Sequence, residues 1–195
     1  MNAYDWATAI AGSNPPNDFH CMTRDVGQAR IEKLVAELIR QGWNDGEAGL
    51  LAAVIGEIVG NCFDHNLGKW RDVPGCWLET GVDGGVFRSI VADRGQGVLA
   101  TLRQVLPELQ DDTHALLVAF TKKITGRAPE QRGNGLKFVL RSLHRLKIDA
   151  FQYQSGTAKF AFAGQIDVMN ISGYIGDTRP EVGGTYVELV VRKSE

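Results

Sequence analysis

The stretch that decides the fold is Glu57-Ile-Val-Gly-Asn61-Cys-Phe-Asp-His65, in the second half of an apolar segment. Each residue of an α-helix advances by about 100° around the axis. The side chains of Glu57, Asn61 and His65, spaced by four residues, therefore line one face of a helix. The rest of the circumference is apolar or small, which is typical of a buried helix. A polar stripe on such a helix is costly unless polar groups face it.

Two interpretations of this stripe stay open. It is either a structural rim, hydrogen-bonded to a neighbouring loop, or a metal and water site. The carboxamide oxygen of Asn61 is a hard neutral ligand suited to Mg²⁺, which usually keeps several waters and takes further ligands from phosphates. The carboxylate of Glu57, one turn back, is placed to orient or deprotonate a nucleophile beside that metal.

A second block, Asp93-Arg-Gly95-Gln-Gly97, follows a predicted strand. A carboxylate at a strand end can accept a hydrogen bond from an exocyclic amine such as that of adenine. Glycines beside it let the backbone approach a flat ring. The same residues also fit an ordinary Asp-x-Gly turn, so this block decides nothing alone.

A third block, Arg132-Gly133-Asn134-Gly135-Leu136, opens a predicted helix. A glycine loop that enters a helix offers backbone N–H groups and the positive end of the helix dipole to a phosphate. Arg132 and Lys137 can add positive charge there, or they can be solvated beside a flexible loop. The block matches neither a P-loop nor a dinucleotide fingerprint.

The composition narrows the class of protein. The 195 residues include 44% hydrophobic and 23% charged residues, and the net charge is −2, which disfavours nucleic acid and acidic membranes as partners. Glu57 interrupts the most apolar segment, so no membrane span is expected. The start lacks a signal-peptide pattern. Three cysteines without a Cys-x-x-Cys pair fit a reducing compartment. We therefore expect a cytoplasmic protein.

The chain is predicted to be an N-terminal arm, residues 1–25, followed by one domain, residues 26–195. The arm is a possible homodimer element. Helical periodicity predicts helices at 26–41, 44–65, 112–124 and 135–146. Strand patterns occur at 76–80, 86–92, 148–154, 158–163 and 185–192, with 164–184 as an insertion or a long hairpin. Short turns between strands favour a mixed, mostly antiparallel sheet, so an α+β two-layer sandwich with helices on one face is expected.

Together, and in this order, the blocks resemble the ATP-binding domain shared by histidine kinases, DNA gyrase B, Hsp90 and MutL, with its Bergerat-type fold. The first block resembles the N box of that superfamily, and the second and third resemble its two glycine boxes. Gly184-Thr185 resembles the threonine at the entry of a late strand near the adenine. The resemblance covers about residues 28–193.

The resemblance implies ATP and Mg²⁺ as ligands, and a role for each matching residue. Asn61 would ligate Mg²⁺, Glu57 would be the general base in members that hydrolyse ATP, and Asp93 would bind the adenine amino group. Residues 94–132 would form the ATP lid. The full set implied to contact the nucleotide is Asn61, Asp93, Gly95, Gly97, Arg132, Gly133, Asn134, Gly135, Leu136 and Thr185.

One departure from the pattern is Lys137, which stands where many members carry a third glycine. Within this superfamily, the motifs of this chain most resemble those of the anti-sigma-factor serine kinases and of stand-alone histidine-kinase-like ATPases. A sensor histidine kinase is not expected, because 25 irregular residues upstream cannot form the helical hairpin that carries a phosphoacceptor histidine.

The leading hypothesis is a Mg-ATP-binding protein that phosphorylates a protein partner, like a serine/threonine kinase or ATPase, or uses ATP as a binding switch. The alternative is a non-catalytic ATP-binding or interaction module that retains the fold. A nucleic-acid or structural protein is disfavoured, since no basic–aromatic strip is present.

Overall fold

The computed structural model of the protein describes residues 1–122 and 135–194. Its helices are α1 Ala3–Thr8, α2 Arg24–Arg40, α3 Asp45–Asp64, α4 Gly97–Arg103, α5 Asp112–Thr121 and α6 Gly135–Leu143. Its strands are β1 His20–Cys21, β2 Cys76–Asp83, β3 Val86–Asp93, β4 Lys147–Phe162 and β5 Ile175–Arg192. The four predicted helices correspond to α2, α3, α5 and α6, and each predicted strand overlaps one of β2 to β5.

The strands form one sheet in the order β1-β2-β3-β5-β4, and its neighbouring strands are antiparallel in every described pair. A two-residue turn, Gly84-Gly85, joins β2 to β3, and both residues have positive φ (55° and 79°), as a tight hairpin that follows the strand twist requires. The α+β two-layer sandwich predicted from the sequence is confirmed.

Residues 164–184 belong to a long hairpin. β4 runs through the two strands predicted at 148–154 and 158–163, with an irregular register near Gly156. A short 3-10 turn, Ile171–Tyr174, then leads into β5, which begins well before the predicted start at residue 185. The one strand β4 therefore replaces two predicted strands.

α3 is the central helix of the core. The side chain of Asn44 caps its N-terminus by accepting a hydrogen bond from the Glu47 backbone N–H at 2.8 Å. Its buried residues, such as Val54 and Ile58, pack in the same cluster as those of β3. Among the described residues, α3 alone is long and apolar enough to cross a membrane, and half of it is buried inside the domain. Its place in the core accounts for this apolar composition.

α5, which belongs to the predicted lid, is anchored in the main core. Phe120 lies edge-on to Tyr153 and Phe160 of β4, with ring centroids 5.4 and 4.8 Å apart. Leu116 on the same helix is also buried in that cluster. Residues 123–132 of the predicted lid lie outside the described residues, and the lid movement itself stays a prediction.

The first 25 residues, expected to be irregular, contain α1 and β1. α1 packs on the sheet face opposite to the other helices, because it contacts Trp77 and Tyr186, whose neighbours Leu78 and Val187 belong to the main core. Trp6 of α1 is 0% exposed there. Periodicity did not predict α1 because six residues are too few to show a pattern. A role of this segment in a dimer stays a prediction.

Candidate functional site

Asp93 ends β3 and is almost completely buried, with 1% of its surface exposed. Its Oδ1 accepts hydrogen bonds from the Gly95 backbone N–H at 2.8 Å and from the side-chain amide of Asn66 at 2.9 Å. Its Oδ2 accepts a short hydrogen bond from the Thr185 hydroxyl. Burial raises the pKa of Asp93, and the hydrogen bonds from Thr185 and Gly95 act against that rise. Neutral donors therefore hold this carboxylate.

Asn66 is a residue of this site that sequence reasoning missed. It follows the end of α3 and is buried. Its amide also donates to the Cys62 carbonyl at 3.0 Å, and its Oδ1 accepts a hydrogen bond from the Gln96 backbone N–H at 3.2 Å. Asn66 thus connects the end of α3 to the loop after Asp93. An asparagine just past a helix is common in turns and caps, so the sequence held no distinct signal for this role.

The glycines around Asp93 permit close packing. A Cβ at Gly95 would lie 2.0 Å from Cγ of Asn66, and one at Gly184 would lie 2.3 Å from Oδ1 of Asp93. Gly97 has a φ of +75°, a conformation that favours glycine. These glycines are therefore needed for Asp93 and Asn66 to pack as they do. This requirement is separate from their predicted role in contacting the adenine base.

Ser155 of β4 is a second residue that the sequence did not indicate. Its hydroxyl accepts a hydrogen bond from the Val98 backbone N–H at 2.9 Å and donates one to the Gly184 carbonyl at 2.9 Å. It thereby joins the start of α4 to the segment that carries Thr185. A lone serine within a strand pattern gives no indication of such a contact.

Glu57, Asn61 and Gly135 come together where α6 meets α3. A Cβ at Gly135 would lie 2.3 Å from Oε2 of Glu57 and 3.9 Å from Nδ2 of Asn61. Within residues 1–122 and 135–194, neither polar side chain makes a hydrogen bond or an ion pair. Because Gly135 is the first residue of α6, both side chains lie at the N-terminal end of that helix. Backbone N–H groups at a helix N-terminus favour an anion.

The remaining residues of the first block have structural contacts. Asp64 forms an ion pair with Arg24 at 2.8 Å. His65 is exposed, and its carbonyl accepts a hydrogen bond from the Gln96 side chain at 2.8 Å. The polar stripe is therefore divided: Glu57 and Asn61 face α6, and the residues after them hold neighbouring segments.

The third block is described only in part. Leu136 is partly buried against the main core, and Gly135 begins α6. Arg132, Gly133 and Asn134 lie outside the described residues. The phosphate loop predicted there therefore stays a prediction. The structure describes only its last residues, including Gly135, which lies against Glu57.

Behind Asp93 lies a buried arginine to which the sequence assigned no role. Arg94 is 1% exposed. Its Nε and Nη2 donate to the two carboxylate oxygens of Asp72, each at 2.7 Å, and its Nη1 donates to the Trp6 carbonyl at 2.6 Å. Asp72 also accepts the Gly12 N–H at 2.7 Å, and the Arg94 guanidinium lowers the pKa of Asp72 to about 2. The N-terminal segment is therefore attached to the loop that carries Asp93.

The Glu57 cluster lies on the second half of α3, and the Asp93 cluster lies beside the turn after its C-terminal end, where Asn66 contacts Asp93. From Glu57 to the last helical residue, Asp64, the helical rise corresponds to about 10 Å. One cluster offers a carboxylate with neutral donors, and the other offers a carboxylate, a carboxamide and a helix N-terminus. This arrangement suits an elongated ligand that carries an amine-bearing ring at one end and phosphates at the other.

The Glu57 cluster offers few protein ligands for a magnesium ion. Over residues 1–122 and 135–194, no three or more His, Cys, Asp or Glu side chains form a group that could hold a metal ion. Mg²⁺ is commonly bound through one or two protein oxygens together with phosphates and waters. The Asn61 carboxamide, with Glu57 one turn back, fits a site of that kind. It does not fit a site in which the protein alone supplies all the ligands.

A comparison with protein-family models gives no match to this chain, and a comparison with curated proteins gives no significant match. Membership of the histidine-kinase-like ATPase superfamily therefore stays a proposal, supported by the motifs and by the two clusters along α3.

Proposed function

We propose that the protein binds Mg-ATP in the manner of the histidine-kinase-like ATPases, and uses it for phosphotransfer to a protein partner or as a binding switch. The observation that carries this proposal is that Glu57 and Asn61 of α3 meet Gly135, while Asn66, in the turn after α3, contacts Asp93. Three segments far apart in sequence, residues 57–66, Asp93 and Gly135, are thereby brought together.

The adenine end of the proposed site is Asp93. Its Oδ2 accepts one hydrogen bond, from Thr185, and the second lone pair of that oxygen is the proposed acceptor for the exocyclic amine. Because burial disfavours the charged carboxylate, an added donor would stabilise it. Because only 1% of Asp93 is exposed, the amine can reach this oxygen only after neighbouring side chains that cover Asp93 move.

The phosphate end of the proposed site is the junction of α3 and α6. Asn61 would ligate Mg²⁺, and that ion would neutralise phosphate charge. Glu57 is placed to take a proton from a nucleophile, either water or a hydroxyl of a protein partner. The backbone N–H groups at the start of α6 would bind phosphate oxygens. The proposed location is the cytoplasm, with the three cysteines in the reduced, buried state.

Titration calorimetry tests this function. Mg-ATP should bind the wild-type chain with a 1:1 stoichiometry, and Asp93→Asn should abolish the binding, because the amide presents a donor toward the adenine amine. Undiminished binding by a folded Asp93→Asn variant would remove the adenine assignment. An absence of binding to the wild-type chain would remove the proposed function.

A second measurement separates binding from chemistry. Glu57→Ala should keep the affinity for Mg-ATP and lose hydrolysis or transfer, because the base is absent while the base pocket is intact. A matched control is Asp83→Ala, an exposed carboxylate beside the β2–β3 turn, at the opposite end of β3 from Asp93, which should leave both quantities unchanged.

The second candidate function is a binding module without turnover. It is favoured by the extent to which Asp93 is already engaged by Asn66, Gly95 and Thr185. Intact Mg-ATP binding with no hydrolysis and no transfer to any added protein would support this candidate over the kinase-like one.

A further inference from the structure

β2 is longer than the strand beside it, so part of its outer edge has no strand partner among the described residues. β1 pairs only with the first two residues of β2, and the Phe19 carbonyl then accepts the Leu78 N–H at 2.8 Å. Backbone groups in an antiparallel strand alternate in direction. Because Leu78 is directed outward, Thr80 and Val82 are directed outward too, and they present N–H and C=O groups at a free edge.

α2 runs beside this edge and forms the second wall of a groove of roughly 390 Å³. Apolar side chains of Phe19, Leu34 and Val82 line the groove, and the α2 wall also carries Arg30 and Lys33. A strand edge that faces a helix is the arrangement in which peptide-binding domains accept an extended peptide as an added strand.

The charges in this groove favour an acidic peptide. Lys33 is exposed and has no hydrogen bond or ion pair with the described part of the chain. Arg30 donates to two backbone carbonyls, at 2.8 and 3.1 Å, and its Nη1 is buried without a partner in that part. Glu37 is already paired with Arg40. Asp18 and Glu37 match the two cations of the lining in number. The exposed Lys33, which has no ion pair in the described part of the chain, is therefore the charge that remains available to an acidic side chain of the peptide.

We propose that this groove binds an extended segment of a partner protein, which adds to β2 as a strand and places an acidic side chain beside Lys33. The strand geometry follows from the outward groups of Thr80 and Val82. A second copy of this chain fits less well. Pairing of two β2 strands about Gly81 would set Glu79 opposite Asp83 twice, and like charges in opposite positions are destabilising. This surface does not depend on the proposed nucleotide site.

A displayed library of random nine-residue peptides, selected on the full chain, tests the proposal. Each enriched peptide is synthesised with a fluorescent label, and its Kd is measured by anisotropy. Thr80→Pro removes the outward N–H while keeping the hydrogen bonds between β2 and β3. Thr80→Ala is the matched control, because it keeps that N–H. Lys33→Glu reverses the exposed charge.

The enriched peptides should alternate apolar residues and carry an acidic one. Thr80→Pro and Lys33→Glu should each raise their Kd by about tenfold, as expected for a lost hydrogen bond or charge pair, and Thr80→Ala should not. Circular dichroism checks folding, and Lys33→Glu carries the test alone if Thr80→Pro does not fold. The proposal is overturned if no peptide is enriched, if the folded variants bind equally well, or if sedimentation shows a dimer that Thr80→Pro dissociates.

Discussion

The ion pair between Arg94 and Asp72 should make the N-terminal segment a large contributor to stability. Replacing Asp72 by Asn keeps the shape of the side chain but removes its charge. The guanidinium of Arg94 is 1% exposed, so it cannot recover the lost interaction from water. Trp6 and Gly12, which bind the same two side chains, should then lose part of their attachment.

The size of the effect follows from two bounds. Lowering the pKa of Asp72 from 3.8 to about 2 corresponds to roughly 2.5 kcal/mol. Because 28% of the Asp72 side chain is exposed, solvent screening reduces this to about 1–2 kcal/mol. Removing one partner of a buried pair costs about 3–5 kcal/mol, and Asn retains one acceptor. We therefore expect a loss of about 2–3 kcal/mol at pH 7, within those bounds.

Urea unfolding and thermal melting measure this loss. The melting temperature should fall by about 5–10 °C for a chain of this size. The control is Asp149→Asn, which makes the same change in an ion pair of equal length, 2.7 Å, whose arginine, Arg192, is 51% exposed; it should cost less than about 1 kcal/mol. Equal losses in the two variants would refute the reasoning from burial.

The pH dependence gives an independent check with a definite sign. The folded pKa of Asp72 is depressed, so its stabilisation is complete above its ordinary value of 3.8 and is lost as the pH falls toward about 2. The difference in unfolding free energy between the wild-type chain and Asp72→Asn should therefore be constant above pH 4 and shrink between pH 4 and 2. A difference that stays constant down to pH 2 would contradict the assignment.

Three further variants test the sites and α3. Asn66→Ala should lower the unfolding free energy by about 2–3 kcal/mol, since it leaves buried groups around Asp93 without a partner, and should raise the Kd for Mg-ATP; an unchanged urea midpoint would count against the network. Gly135→Ala, whose methyl would lie 2.3 Å from Glu57 Oε2, should weaken Mg-ATP binding more than adenosine binding in calorimetry. Gly49→Ala, with open space around its Cβ, should stabilise the chain by about 0.5–1 kcal/mol in urea unfolding.

Local patterns were sufficient for the long elements. α2 and α3 follow from apolar periodicity, and in the structure the side chains of Thr23 and Asn44 cap their N-termini. The hairpin of β2 and β3 follows from two strand patterns around glycines. Such elements are predictable because their signals lie within neighbouring residues of the chain.

The elements that the sequence missed depend on distant contacts. α1 is held by Trp77 and Tyr186, which come from strands far along the chain. Gly156 and its neighbours interrupt the strand pattern of β4, yet pairing with β5 continues across them. In both cases burial against a remote segment outweighs weak local preference.

The sequence by itself determined the order of the polar blocks and the face of α3 on which Glu57 and Asn61 lie, because a helix converts spacing into direction. Only the tertiary structure decided which groups meet them. Asn66 reaches Asp93, Gly135 reaches Glu57, and Arg94 is tied to Asp72 and Trp6. These contacts join positions distant in sequence, and no local pattern encodes them because they exist only when the sheet and α3 pack together.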